Sequence, residues 1–332
     1  MLVNELRTAL EQYENAVLKE IIVSLYKMIP KSKKEDQGLD DLLLNFSKEK
    51  EKQKKGKTPV NFKELADEIV QFIDYANASF YYAPNRIVSK EKRSKWRFEV
   101  KRFIKELIPI VGESSVASAR LLAYIYEMLS YGCNYYIFST ENPFSAVGYE
   151  QPELLRMVLS KIFYNGYDEK SIKTAVFLTL DSNTDRETLH LSLLYALVGY
   201  LKTPDTIEMA LGQCVAFKNN YDVFQAEKPL FKYTKYDGYR REEHRDYAAE
   251  LYLMLKFKLH EYDEGIRYFW DNYSRNRLET TLYVLLQYLD DDDMNNYWIR
   301  EYEKALKKKI KPRDELAEEY EERKRKATMQ GV

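Results

Sequence analysis

The side chains able to do chemistry form a short roster of three histidines, two cysteines and the acids and bases beside them. Glu187 and His190 make a Glu-x-x-His pair, the spacing that sets two metal ligands on one helix face. A di-metal bundle needs a second such pair and two more glutamates, and only His244 and His260 remain to supply it. His190 is therefore expected to be a hydrogen-bonded core residue, with no metal and no cofactor bound. His244 stands in Arg240-Arg241-Glu242-Glu243-His244-Arg245-Asp246. Arg240, Arg241, His244 and Arg245 could hold a phosphate-bearing ligand, or form a charged turn that caps a helix starting near Asp246.

Cys133 and Cys214 have no adjacent histidine or basic residue in sequence to activate a thiolate. They read as small buried thiols in a reducing compartment. Asp290 to Asp293 lacks the alternating ligands and the glycine of a calcium loop and reads as a solvated turn. The phosphate, dinucleotide, hydrolase and zinc-protease signatures are missing from the chain. An enzyme would need a site assembled from distant helices, which leaves no linear motif.

The densest charge lies between Arg86 and Lys105, where nine basic residues face only Glu91 and Glu99. With Trp96, the cations Arg93, Lys95 and Arg97 are candidates for a nucleic-acid or phosphate stripe, extended by lysines at 48, 50, 52, 54, 55 and 57. The competing reading places Trp96 and Phe103 on the buried face and the cations in water. Across the whole chain Lys+Arg (52) and Asp+Glu (53) balance, so no global field draws the molecule to polyanions.

These residues must be positioned by helices. Glycine (11) and proline (9) are scarce, and they are the residues that punctuate turns. Apolar residues recur at spacings of three and four: Leu2 to Met28, stopped by Pro30; Leu65 to Phe80; Trp96 to Ile108; and Ser115 to Phe138, which is apolar on nearly all sides. Residues 31–59 are polar and lysine-rich and read as a linker with one short docking helix around Leu42 to Phe46.

After Pro143 the rhythm becomes regular. Gln151 to Tyr164 is followed by an Asn165-Gly166 stop and an Asp168 cap, then by a pair at Asp185 to Leu201 and Pro204 to Lys218, with Thr203 as cap. A loop-like insertion, Tyr221 to Arg241, precedes four further amphipathic segments. The expected class is all-α. A helical bundle over 1–142 is followed over 143–332 by stacked antiparallel helix pairs, α-solenoid-like, for which a right-handed superhelix is one arrangement. Helix pairs spaced by roughly 30 to 35 residues have the tempo of a solenoid.

Asp181, Asp185, Arg186, Leu193, Ala196, Leu197 and Gly199 resemble the aspartate, arginine and Ala-Leu-x-Gly features of HEAT-type repeats, with the arginine shifted by one or two positions. The resemblance covers one helix pair and implies a curved scaffold for partner binding. The tetratricopeptide pattern fits worse, because large residues or Pro204 occupy its small positions.

The 29 tyrosines serve either helix packing or a recognition surface. Glu5, Arg7, Glu11 and Glu14 interrupt any secretory signal, and Glu127 and Asn134 interrupt the most apolar stretch, so a cytoplasmic protein with no membrane partner is expected. The leading functional expectation is a non-enzymatic scaffold that binds another protein; a nucleic-acid-associated protein and an enzyme are the alternatives.

Overall fold

The computed structural model describes residues 9–30, 34, 43, 61–233, 238–273 and 277–329. Among them are 15 α-helices and no strand, so the chain is all-α. It divides into two compact units, Met1–Asn61 and Phe62–Val332.

In the first unit, α1 spans Asn15–Met28 and buries no side chain, with Ile22, Val23, Leu25 and Met28 all exposed. The periodicity predicted one helix from Leu2, yet a turn at Glu11 to Tyr13 precedes α1, and Leu2 and Leu6 lie outside the described residues. Ile29 is extended (φ −84°, ψ 128°), as the residue before a proline must be. The expected linker and docking helix at 31–59 fall outside the described residues apart from Lys34 and Leu43.

The second unit opens with α2 (Phe62–Asn77), α3 (Lys90–Leu107) and α4 (Ser115–Gly132). The apolar stripe of α3, Trp96, Val100, Phe103, Ile104 and Leu107, is wholly buried. Ser89 accepts the Lys92 amide at the start of this helix. Expected to reach Phe138, α4 instead stops at Gly132, where the chain passes close to Pro143 and Ile137: a Cβ there would lie 3.2 Å from Pro143 and 3.3 Å from Ile137. The following loop folds back and stacks Phe138 on Trp96, with ring centroids 3.9 Å apart.

Next come α5 (Pro143–Val147), α6 (Gln151–Phe163) and α7 (Glu169–Leu180). Gly166 takes φ +123°, a region open to glycine. Asp168 and Ser171 then form a reciprocal capping box at the start of α7. α8 covers only His190–Val198, and α9 (Pro204–Asn219) begins at the expected Thr203 cap with Pro204 in the first turn. The predicted insertion holds α10 (Tyr221–Glu227), and α11 (Gly238–Lys258) starts eight residues before Asp246. The chain ends through α12 (Tyr262–Asn272), α13 (Leu278–Tyr288), α14 (Asn295–Lys307) and α15 (Asp314–Met329).

From α2 to α11 helices pack on their next-but-one neighbours, α2 on α4, α4 on α6, α6 on α8, and in a second row α7 on α9 and α9 on α11, while α11 to α15 pack on their sequential neighbours. The main core runs from Leu65 to Leu255, without a break at 142 and 143, and a second gathers α11 to α15. α11 serves both, giving Ala248, Leu251 and Leu255 to the first and Ala249 and Leu253 to the second. A helix apolar on opposite sides belongs between two cores.

The stack of Trp96 on Phe138 supplies a test of this packing. Trp96→Ala should lower unfolding stability by about 3–5 kcal/mol, read from denaturant midpoints. A change below about 1 kcal/mol would show that the ring does not carry the α3 interface.

Candidate functional site

A cavity of about 710 Å³ opens between α4, one face of α7 along its length, and the end of α10. Its walls are apolar, with Ala119, Ala123, Ile162, Phe177 and Phe224 among the lining residues. Phe177 and Phe224 meet edge to face at 4.9 Å. Arg120, Lys170 and Lys173 stand exposed along the lining.

The floor is ionic. Asp181 caps the C-terminus of α7, Lys228 caps the C-terminus of α10, and Glu127 stands midway along the apolar α4. The Lys228 ammonium lies 2.7 Å from Asp181 Oδ2 and 2.5 Å from Glu127 Oε1. A carboxylate at a helix C-terminus sits at the negative end of the helix dipole, so Asp181 needs strong partners. Besides Lys228 it has the Gln225 amide donating to Oδ1 at 2.6 Å, the Tyr221 hydroxyl at 3.4 Å and His244 Nδ1 at 3.3 Å.

Burial and charge push the two carboxyls in opposite directions. Burial raises the Asp181 pKa, but Lys228 and His244 outweigh it and hold the group below the ordinary range. Glu127 is raised, because burial and the Asp181 charge together exceed the pull of Lys228. Burial disfavours the Lys228 charge, yet Asp181 and Glu127 overcome this and raise its pKa. Lys228 is therefore a fixed cation, not an amine nucleophile.

Behind the floor, the turn from Asp181 to Asp185 runs through the interior, although turns normally lie on the surface. Such a path requires every backbone polar group to find a partner. The Asn183 amide donates to Ser130 Oγ at 2.8 Å, the Gln151 side chain donates to the Asn183 carbonyl at 2.8 Å, and the Asp185 amide donates to Gln151 Oε1 at 3.0 Å. The Tyr233 hydroxyl donates to the Asp181 carbonyl at 3.2 Å, and the Asn183 side chain donates to that hydroxyl at 2.8 Å.

This turn replaces the first part of the helix expected from Asp185. With its amide held by Gln151, Asp185 uses its carboxylate to accept the Glu187 amide at 3.0 Å, an Asx-type turn that competes with helix. Glu187 is consequently outside α8 and exposed, and the Glu-x-x-His pair does not share a helix face. His190 is a core histidine. Its Nε2 donates to the Thr179 carbonyl at 3.1 Å and its ring stacks on Tyr247, 3.4 Å between centroids. No group of three potential metal ligands occurs among the described residues.

Two surface candidates are corrected. Trp96 is 4% exposed and belongs to the core, and His244 is 1% exposed, its ring facing Tyr221, Tyr233 and Asp181. Their neighbours separate as well. Arg241 and Arg245 both pair with Asp222, and Arg240 donates to Asn183 Oδ1 at 3.3 Å, so these cations fasten α11 to α10 and to the buried turn. Arg93 donates to the Val88 carbonyl at 2.6 Å, Lys95 pairs with Glu91 at 3.1 Å, and Arg97 is exposed. Burial pushes both cysteine thiols up, away from the reactive range.

Of the repeat-like residues, Asp181 and Asp185 shape the buried turn, while exposed Arg186 pairs with Glu141. Sequence reasoning missed Lys228, Gln225 and the role of Glu127. The available signal was Glu127 itself, because an acid inside an apolar helix demands a cationic partner. No helix of the described residues is long and apolar enough to cross a membrane. Compared with known protein families, curated proteins and solved structures, the chain matches none.

Removing one member of a buried ion cluster strands the others. Asp181→Ala should cost about 3–5 kcal/mol in denaturant unfolding, and a loss under about 1 kcal/mol would contradict the assigned role.

His190 yields a pH signature. Its Nδ1 has no hydrogen-bond partner, and burial, with the nearby His244, holds its pKa well below 6.5. The unfolded chain therefore takes up this proton first, so stability falls as pH drops below 6.5 toward the folded value. His190→Phe, which keeps a ring against Tyr247, should flatten that part of the stability–pH curve. An unchanged slope would rule out His190 as its source.

Proposed function

We propose that this chain is a non-enzymatic, cytoplasmic scaffold of helical-repeat type that binds another protein through the cavity between α4, α7 and α10. The observation that carries the reading is the juxtaposition of two helix rows with an open, apolar-walled cavity. The packing of α6 on α8 and α7 on α9 is what stacked antiparallel pairs would produce, and the HEAT-type resemblance falls on the same segment.

The chemistry of the cavity supports binding over catalysis. Lys228 is locked between two carboxylates, and the His190 and His244 rings are committed to core partners. Apolar walls with a few convergent polar groups are the usual make-up of a recognition pocket. A partner would place an apolar side chain against Phe177 and Phe224 and satisfy the rim cations Arg120, Lys170 and Lys173 with acidic residues.

Photo-crosslinking tests this. A photoreactive residue at Thr174, which lines the cavity, should yield a discrete polypeptide adduct in cells. The adduct should disappear when Ala123→Trp fills the cavity. Absence of a polypeptide adduct at Thr174, or one unaffected by Ala123→Trp, would overturn the proposal.

A further inference from the structure

α3 carries a feature that folding does not require. Phe98 is 58% exposed, on the side of the helix opposite Trp96, Val100 and Leu107, which are at most 4% exposed. At about 100° per residue the ring stands on the outward crest of the helix. An aromatic ring there gains nothing from the core, and the Arg97 guanidinium carbon lies 4.9 Å from its centroid.

Internal pairing accounts for only part of the charge around it. Arg102 is held by Glu68 at 2.5 Å, Glu99 at 2.9 Å and Glu106 at 3.1 Å, which also occupies these three acids. Lys95 pairs with Glu91, but both side chains are mostly exposed (60% and 79%), and such a pair is weak and easily exchanged. Among the described residues Lys90, Lys92, Arg97 and Lys105 enter no ion pair. From Lys90 to Lys105 the cations track about 22 Å of helix at 1.5 Å per residue, with Phe98 in the middle.

We propose that this face of α3 binds single-stranded nucleic acid, with one base stacked on Phe98 beside Arg97 and the phosphates on Lys90, Lys95, Arg97 and Lys105. The choice of a single strand follows from the ring. An unpaired base offers a free π-face to an isolated aromatic, whereas the bases of a duplex are stacked inside. Cations alone would serve any polyanion; the crest aromatic is what distinguishes this ligand. The proposal concerns a different face from the cavity and does not depend on it.

The test is fluorescence anisotropy of the full chain with a labelled oligothymidylate and a labelled oligouridylate, at increasing salt. Binding should weaken with salt at a log–log slope near −0.7 per phosphate contact, roughly −2 to −3 for three or four contacts. Phe98→Ala should weaken binding roughly tenfold, within the range that one base–aromatic stack supplies, while Phe98→Trp should retain it. Lys90→Glu with Arg97→Glu should abolish binding. Phe98, Lys90 and Arg97 are exposed, so circular dichroism should show these variants as helical as the parent. The proposal fails if the parent binds neither oligonucleotide at low salt, if duplex DNA binds as tightly and Phe98→Ala changes nothing, or if polyglutamate competes as well as the oligonucleotides. The last outcome would assign the face to an acidic protein.

Discussion

The carboxylate of Asp181 sits where a helix dipole and burial both oppose its charge, and the arrangement of the second unit follows from how that opposition is met. Lys228 and Gln225 come from the end of α10, Tyr221 from its start and His244 from α11. One side chain thus ties α7 to α10 and α11. Replacing this cluster with apolar groups could match its stability. What the charges add is direction, because only one placement of α10 brings both Gln225 and Lys228 to Asp181.

The same cluster explains why a cavity exists where the helices could have closed. Glu127 reaches across from α4 to Lys228, and its side chain stays partly exposed, at 23%, on the cavity lining. Closing α4 onto α7 would desolvate that acid further against an already raised pKa. The buried turn beyond Asp181 then sets the start of α8 at His190, which places the ring of His190 on Tyr247 of α11. Ion cluster, turn and helix start form one connected unit, with α11 as the wall against which both cores are packed.

Helices whose existence depends on local periodicity were legible in the sequence, and so were caps whose chemistry is local. The α3 stripe, the Asp168 box and the Thr203-Pro204 start are all settled within a few residues of themselves. Misjudged features depend on distant partners. The segment Asp185 to Leu189 has helical periodicity, but Gln151, 34 positions away, takes the Asp185 amide. Tyr221 to Glu227 reads as part of a loop-like insertion with aromatics, and its helix is stabilised by Tyr221, Phe224 and Gln225 facing α7 and α9. Among the aromatics of α3 the sequence drew attention to Trp96, while burial singles out Phe98 as the exposed ring. The candidate cavity was illegible for the same reason: the three charged residues of its floor, Glu127, Asp181 and Lys228, lie on three separate segments and match no motif.

Amide hydrogen exchange at Asn183 and Asp185 tests most directly whether the buried turn holds this unit together. Both amides lie outside any helix and donate only to side chains, Ser130 Oγ and Gln151 Oε1. The account predicts protection approaching that of the α4 and α7 core amides, with exchange requiring global opening. Exchange at the rate of an exposed loop, while α4 and α7 stay protected, would contradict it and leave the turn a passive connection.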